Sequence, residues 1–283
     1  MFFATRIFKI IRTNINILLG LTMLIAILLL SFVGSLFIQY DPLRMGLFPP
    51  NSPPSFEHIL GTDTLGRDVF AQMLVGIKHS IMIGFIVATI GTIVGASIGF
   101  LAGYCGGIVD TTLRFITDIF VMLPMLPILI LVACFVKIIE IWMMALILSI
   151  FAWAWPARQI RSNILSLKER DFIYLAKLSG MSTPEILFQE ILPHMFQYLT
   201  ASFVYSVLWA IMAEVGLEIL GLGPQHTITI GMILYWAFFH AAVFRGIWWW
   251  IMPPIFAIMW ILVSLYLLHV GIDELINPRL RGG

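Results

Sequence analysis

RDFIYLAKLSGMSTPEILFQEILPH, residues 170–194, lies within the most heavily charged interval between two strongly apolar regions. That interval runs from Arg158 to Pro193. It sets Arg158, Arg161, Lys168, Arg170 and Lys177 against Glu169, Asp171, Glu185 and Glu190. Phe172, Leu175 and Ala176 recur at helical spacing, so a short helix here carries one apolar face. Gly180 suits the left-handed residue that closes such a helix. Ser182-Thr183-Pro184-Glu185 then has capping-box spacing, with Pro in the first turn, where its missing N–H is harmless. The spacing predicts helix, sharp bend, helix, held in water between membrane spans. A bent helix pair with an apolar face on the soluble side of a membrane protein is most simply a docking site for another protein.

The flanking sequence supplies the membrane. The chain is 60% hydrophobic and 11% charged, with a mean hydropathy of +1.01, where a soluble domain carries about 25% charged residues. The charges are clustered and leave uncharged stretches of about 17–25 residues, long enough to cross a bilayer as helices. A formal net charge of +1 speaks against nucleic acid as a partner. The first apolar run, Ile15 to Ile38, is too long for a signal peptide and has no clear cleavage site. Cys105 and Cys134 have no paired spacing and read as packed thiols. None of the six His residues stands in a metal-binding spacing.

Six spans are predicted: Ile15 to Ile38, Ser80 to Tyr104, Ile116 to Val136 (kinked by Pro124 and Pro127), Ile141 to Trp155, Tyr198 to Leu217, and Gly246 to Val270. Between the first two, Gln39 to His79 is a polar arm whose Pro42, Pro49, Pro50, Pro53 and Pro54 exclude a continuous helix. This gives an N-terminal unit over 1–79, a membrane core over 80–272 with its cytoplasmic loop at 158–193, and a C-terminal tail over 273–283. Ile228 to Phe244 is nearly long enough to cross, but GLGPQHTIT before it is too broken to face lipid. It is expected to be re-entrant or interfacial. With the N-terminus inside, 11 of the 16 Lys and Arg fall on the cytoplasmic side, as the positive-inside rule requires. Both termini are then cytoplasmic.

Four further patterns stand out. In HILGTDTLGRD, His58 to Asp68, Gly61 and Gly66 allow tight turns while Asp63, Arg67 and Asp68 can pair at the membrane surface. Gly91, Gly95, Gly99, Gly103 and Gly107 recur every four residues and give one helix a groove for close approach. Its occupant is either another helix of this subunit or a partner across a transport path. Glu214 and Glu218 stand one turn apart at the end of the fifth span. Carboxylates at that depth face an aqueous cavity or a partner; Glu218 either lines a path or, the preferred reading, sits at the outer interface and snorkels to water. Asp110, Arg114 and Asp118 have the spacing for ion pairing along one helix face. Trp248 to Trp250 fit an aromatic belt, and Pro253-Pro254 a kink.

Several of these strings resemble one family. Leu60-Gly61-Thr62-Asp63-Thr64-Leu65-Gly66-Arg67-Asp68 is similar to the signature ahead of the second span in C-type permease subunits of dipeptide, oligopeptide and nickel ABC importers. Ala176, Gly180 and Leu192-Pro193 look like the family's EAA loop, with Met181 and Ser182 continuing it. Tyr174 stands where the family usually has Glu, and Leu175 where it has its first Ala. Glu214 before Leu220-Gly221-Leu222-Gly223, and Asn277-Pro278-Arg279-Leu280, also fit the pattern, whereas Glu218 replaces a small residue. The resemblance covers about residues 55 to 281. It implies an all-α, type I ABC-importer membrane domain without enzymatic activity of its own. By the same resemblance its partners would be a homologous B-type permease, two ABC ATPases and an extracytoplasmic solute-binding protein. The absence of any Gly-Lys dipeptide, and hence of a Walker A loop, agrees: ATP and Mg²⁺ would act only through the partner ATPases. Family members carry di- and oligopeptides, nickel chelates or oligosaccharides, peptides most often. A secondary transporter is the contrasting class; it needs matching broken helices in two halves, which the sequence does not show.

Overall fold

In the computed structural model, residues 14–135, 140–182 and 185–276 are described. Their regular elements are helices: α1 Ile15–Ser35, α2 Val69–Cys105, α3 Gly107–Met122, α4 Met125–Phe135, α5 Ile141–Ala152 and α6 Ala154–Lys168. After these come α7 Asp171–Leu178, a π-helical stretch Ile186–Ile191, α8 Leu192–Ile219, α9 Ile230–Phe239 and α10 Trp248–Ile276. Five candidate spans emerge among the described residues, and six if the bent pair α3 and α4 is one span. Side-chain contacts between loops agree with that topology. At the cytoplasmic ends, Asn14 Nδ2 donates to Gly271 O and Glu274 Oε2, joining α1 to α10. Lys168 Nζ donates to Gly103 O and Tyr104 O, joining α6 to α2. On the opposite side Arg245 reaches Thr64 and Trp249 reaches Thr62. The basic residues assigned to the two termini, and Lys137, lie outside the described residues.

Several boundaries differ from the sequence reading, each for a local reason. The second span begins at Val69 rather than Ser80, because Asp68 caps it by accepting from the Ala71 N–H at 2.9 Å. The polar residues that suggested an exposed arm are consumed within the protein: Gln72 is buried on Asp63, and His79 Nδ1 donates to Ile228 O. Asp110 and Arg114 lie in helix α3, which begins at Gly107, nine residues before the expected start of the third span at Ile116. The third span is bent by 81° between α3 and α4. Pro124 holds Leu123 extended (φ −63°, ψ 133°) and stops α3 there, while Pro127 falls in the first turn of α4 and is tolerated. α10 runs on through Pro253 and Pro254 as a single helix.

The central loop is shorter than the charge pattern suggested. Ile141–Lys168 forms one candidate span, so Arg158, Arg161 and Lys168 are on helix α6. At its other end Leu192 and Pro193 lie in α8, continuous with the π-helical stretch. The wider π turns accommodate the Pro193 ring, which would otherwise meet the carbonyl four residues before it. At 10 residues, α9 is about 15 Å long, half the hydrocarbon thickness. Ile230, Met232, Ile233, Leu234 and Ala237 are buried among α2, α8 and α10, so the segment does not span and packs inside the subunit.

Candidate functional site

The cytoplasmic hairpin is built around α7. Ile173 and Ala176 turn inward onto Ile160, Ile164, Ile186, Ile191 and Met195. Leu175 points outward, against the expected Phe172–Leu175–Ala176 face, because the isoleucines of α6 set the phase of the helix. Phe172 is half-buried and stacks on His194, with ring centroids 4.8 Å apart. Tyr174, Leu175 and Leu178 are 54%, 63% and 84% exposed, so a second apolar face looks into the cytoplasm. Gly180 adopts φ +81°. The Gly180 N–H donates to Lys177 O, and the Met181 N–H to Ala176 O. This pair of bonds ends a helix on a left-handed residue. A Cβ on Gly180 would meet nothing within 4 Å. The Ser182 N–H and hydroxyl both donate to Glu185 Oε2, at 2.6 and 2.8 Å, and hold that carboxyl below the usual carboxylate range. Only the Glu half of the capping box is made there; Thr183 and Pro184 lie outside the described residues.

On the opposite side the Gly61–Asp68 loop is organised by one buried carboxylate. Asp63 Oδ1 accepts from the N–H groups of Leu65 and Arg67, and Oδ2 from Arg67 Nε at 2.7 Å and Gln72 Nε2 at 3.0 Å. Arg67 is 2% exposed and its guanidinium lies 5.9 Å from the Trp236 ring of α9. Asp68 does not join this pair; it caps α2 and bonds His58 Nδ1 at 2.7 Å. Thr62 Oγ1 ties the proline-rich arm down through Pro49 O and the Ser52 N–H. Leu60 and Leu65 are half-buried. Gly61 and Gly66 take φ +67° and +70°, and a Cβ on either would lie 2.5 Å from a carbonyl oxygen of the arm. The signature is a clasp joining arm, α2 and α9.

Glu214 and Glu218 are both fully buried. Glu214 Oε1 accepts from Ser80 Oγ at 2.9 Å, and that hydroxyl accepts in turn from the Ile230 N–H. Glu218 Oε2 accepts from Thr229 Oγ1 at 2.6 Å. The preferred expectation for Glu218, snorkelling to outer water, is therefore corrected: α9 covers it, and a Cβ on Gly231 would collide with its carboxylate. The second oxygen of each carboxylate has no hydrogen-bond partner among the described residues.

The glycine ladder divides. Gly91, Gly95, Gly99 and Gly103 meet Ala152, Trp153, Pro156, Ala157, Ile160 and Ile164 of the fourth span, within this subunit. Gly107 does not belong to it; it opens α3 at φ +55° in open space. Asp110 likewise leaves its expected neighbour and pairs with Arg161 on α6, while Arg114 and Asp118 pair along α3 at 3.5 Å. A Gly-x-Ser-x-Gly string, Gly95 to Gly99, lies inside α2. Ser97 faces outward and donates to Ile93 O, so the strand–turn–helix that exposes a nucleophile is missing. No group of three potential metal ligands occurs among the described residues.

Helix count, broken third span, hairpin and clasp together describe a polytopic membrane protein. Residues 91–282 match the family described as binding-protein-dependent transport system inner membrane component. The chain belongs to this family. It is thus a multi-pass inner-membrane permease of the type I ABC-importer fold. Among its relatives, the oligopeptide transport system permease protein OppC of Mycobacterium tuberculosis is 32% identical over 265 residues, 91% of this chain and 89% of that one. The dipeptide transport system permease protein DppC of Bacillus subtilis is 28% identical over 275 residues, 96% of this chain and 84% of that one. OppC of Bacillus subtilis is 30% identical over 75% of this chain and 69% of its own length.

Proposed function

We propose that this permease carries di- and oligopeptides inward, working with a homologous B-type permease, two ABC ATPases and an extracytoplasmic solute-binding protein. ATP and Mg²⁺ are held by the ATPases and not by this chain. The observation that carries the coupling role is the double-faced helix α7. Ile173 and Ala176 bind it to its own subunit, while Tyr174, Leu175 and Leu178 remain as an apolar outward face of the size a cleft on another protein receives. The names borne by the relatives support peptide as cargo.

In this reading, ATP binding closes the ATPase dimer and displaces α7. Its inward face passes the movement to α6 and to the foot of α8, and the spans rock to open outward. The binding protein then delivers its peptide, and hydrolysis reopens the path to the cytoplasm. The test uses Gly180→Arg and Leu178→Asp. Neither site has an inward packing partner, so both variants insert with their spans intact. Both are expected to lose ATPase association in a detergent pull-down and to lose peptide uptake. Normal uptake by these variants would remove the coupling role from α7.

A further inference from the structure

Two cavities adjoin along the seam between α3 and α6. One, about 210 Å³, is walled by Phe120, Phe151, Trp155, Tyr205 and Trp209. The second, about 280 Å³, is lined by Arg114, Asp118, Arg158, Arg161 and Ser162 against the Gly99 face of α2. Pro156 and Ala157, neighbours on α6, contribute one to each lining.

The charges of the second cavity do not cancel. Arg161 is held by both oxygens of Asp110, and Arg114 is paired with Asp118. Arg158 is exposed and makes no hydrogen bond or ion pair among the described residues. Lys168 ends α6 on the cytoplasmic side, and Arg158 precedes it by about 15 Å along the axis. Arg158 thus stands in the cytoplasmic half of the candidate span Ile141–Lys168, and charges within spans generally face water or a partner.

We propose that Arg158 receives the C-terminal carboxylate of the peptide in transit, while an apolar side chain of the same peptide enters the aromatic cavity. This inference rests on the peptide reading above. The planar guanidinium offers two parallel N–H donors that match the two carboxylate oxygens. The aromatic walls take side chains by shape and burial alone, which suits cargo of varied sequence. Asp110 and Asp118 offset the other two arginines, so the net charge stays near one and the peptide is held weakly enough to leave. The phosphate of an anionic phospholipid offers similar oxyanion chemistry, and the test separates the two.

The complete importer, with permeases, ATPases and binding protein, is reconstituted in vesicles. Uptake of one tetrapeptide is compared with that of its C-terminal amide, for wild type and for Arg158→Gln. The binding protein is common to both, so its own preference cancels between them. The acid-to-amide ratio is expected to fall by about tenfold in Arg158→Gln, the loss of one charge-assisted pair. Arg158→Lys, which retains charge without the fork, gives an intermediate ratio. An unaltered ratio in Arg158→Gln or Arg158→Lys complexes that still hydrolyse ATP overturns the proposal. An unaltered ratio with loss of co-purifying anionic phospholipid assigns the site to a headgroup and overturns it as well. A wild-type importer that moves neither peptide refutes the peptide reading itself, and this site with it.

Discussion

Asp63→Ala is the substitution whose cost the structure defines most closely. Asp63 is fully buried and accepts from two backbone N–H groups and two side chains, one of them the buried Arg67. Truncation leaves Arg67 as a buried charge without its partner, a loss of about 3–5 kcal/mol. The open population of the clasp should then rise on the order of a thousandfold. Trypsin added outside right-side-out vesicles reads this directly. Arg44 is exposed on the arm that the clasp ties down, and its rate of cleavage follows opening. Asp63→Asn retains one oxygen acceptor and should lose less. Asp63→Leu with Arg67→Met removes both charges but leaves the Leu65 and Arg67 N–H groups unpaired, so it should recover only the part of the loss due to the stranded Arg67 charge. Cleavage of Asp63→Ala at the wild-type rate, or a double variant as labile as the single, would refute the clasp.

Three further outcomes follow from local geometry. Gly95→Val places its Cβ 2.6 Å from Trp153 O and 2.7 Å from the Pro156 ring, neither of which can swing away; the overpacking costs about 1–3 kcal/mol or more and should lower the yield of folded permease in detergent chromatography. Gly107→Ala meets only its own left-handed backbone and should cost about 1–2 kcal/mol. Glu185 has its folded pKa depressed by the Ser182 N–H and hydroxyl, so its contribution is present above the ordinary carboxylate pKa and lost as pH falls through the depressed value. ATPase affinity measured across the acid range should weaken there, and Glu185→Gln should remove that part of the pH dependence.

The sequence showed the spans well because hydropathy is a one-dimensional property that the bilayer imposes on each helix separately. It showed the Gly180 bend for the same local reason, since a left-handed residue at a helix end needs no distant partner. It misplaced what distant partners decide. Gln72 and His79 looked like surface until Asp63 and Ile228 O took them up. Asp110 looked like a neighbour of Arg114 until α6 presented Arg161. Glu218 looked like an interfacial side chain because nothing local reveals that α9 folds back over it. The face of α7 was misphased because apolar spacing alone offers two overlapping stripes, and only Ile160 and Ile164 choose between them.

From Ile186 to Ile219 the backbone is helical throughout, a shaft of about 50 Å. Its foot is meshed with Ile173 and Ala176 of the hairpin, and its head with Thr229 beneath the extracytoplasmic loop. In the proposed cycle this continuous helix carries a displacement of the foot to the head. The inner and outer mouths are then coupled through one helix, and the π-helical collar, with its wider turns, is where that coupling can be loosened. Tightening that collar, rather than altering either mouth, would change the order in which they open.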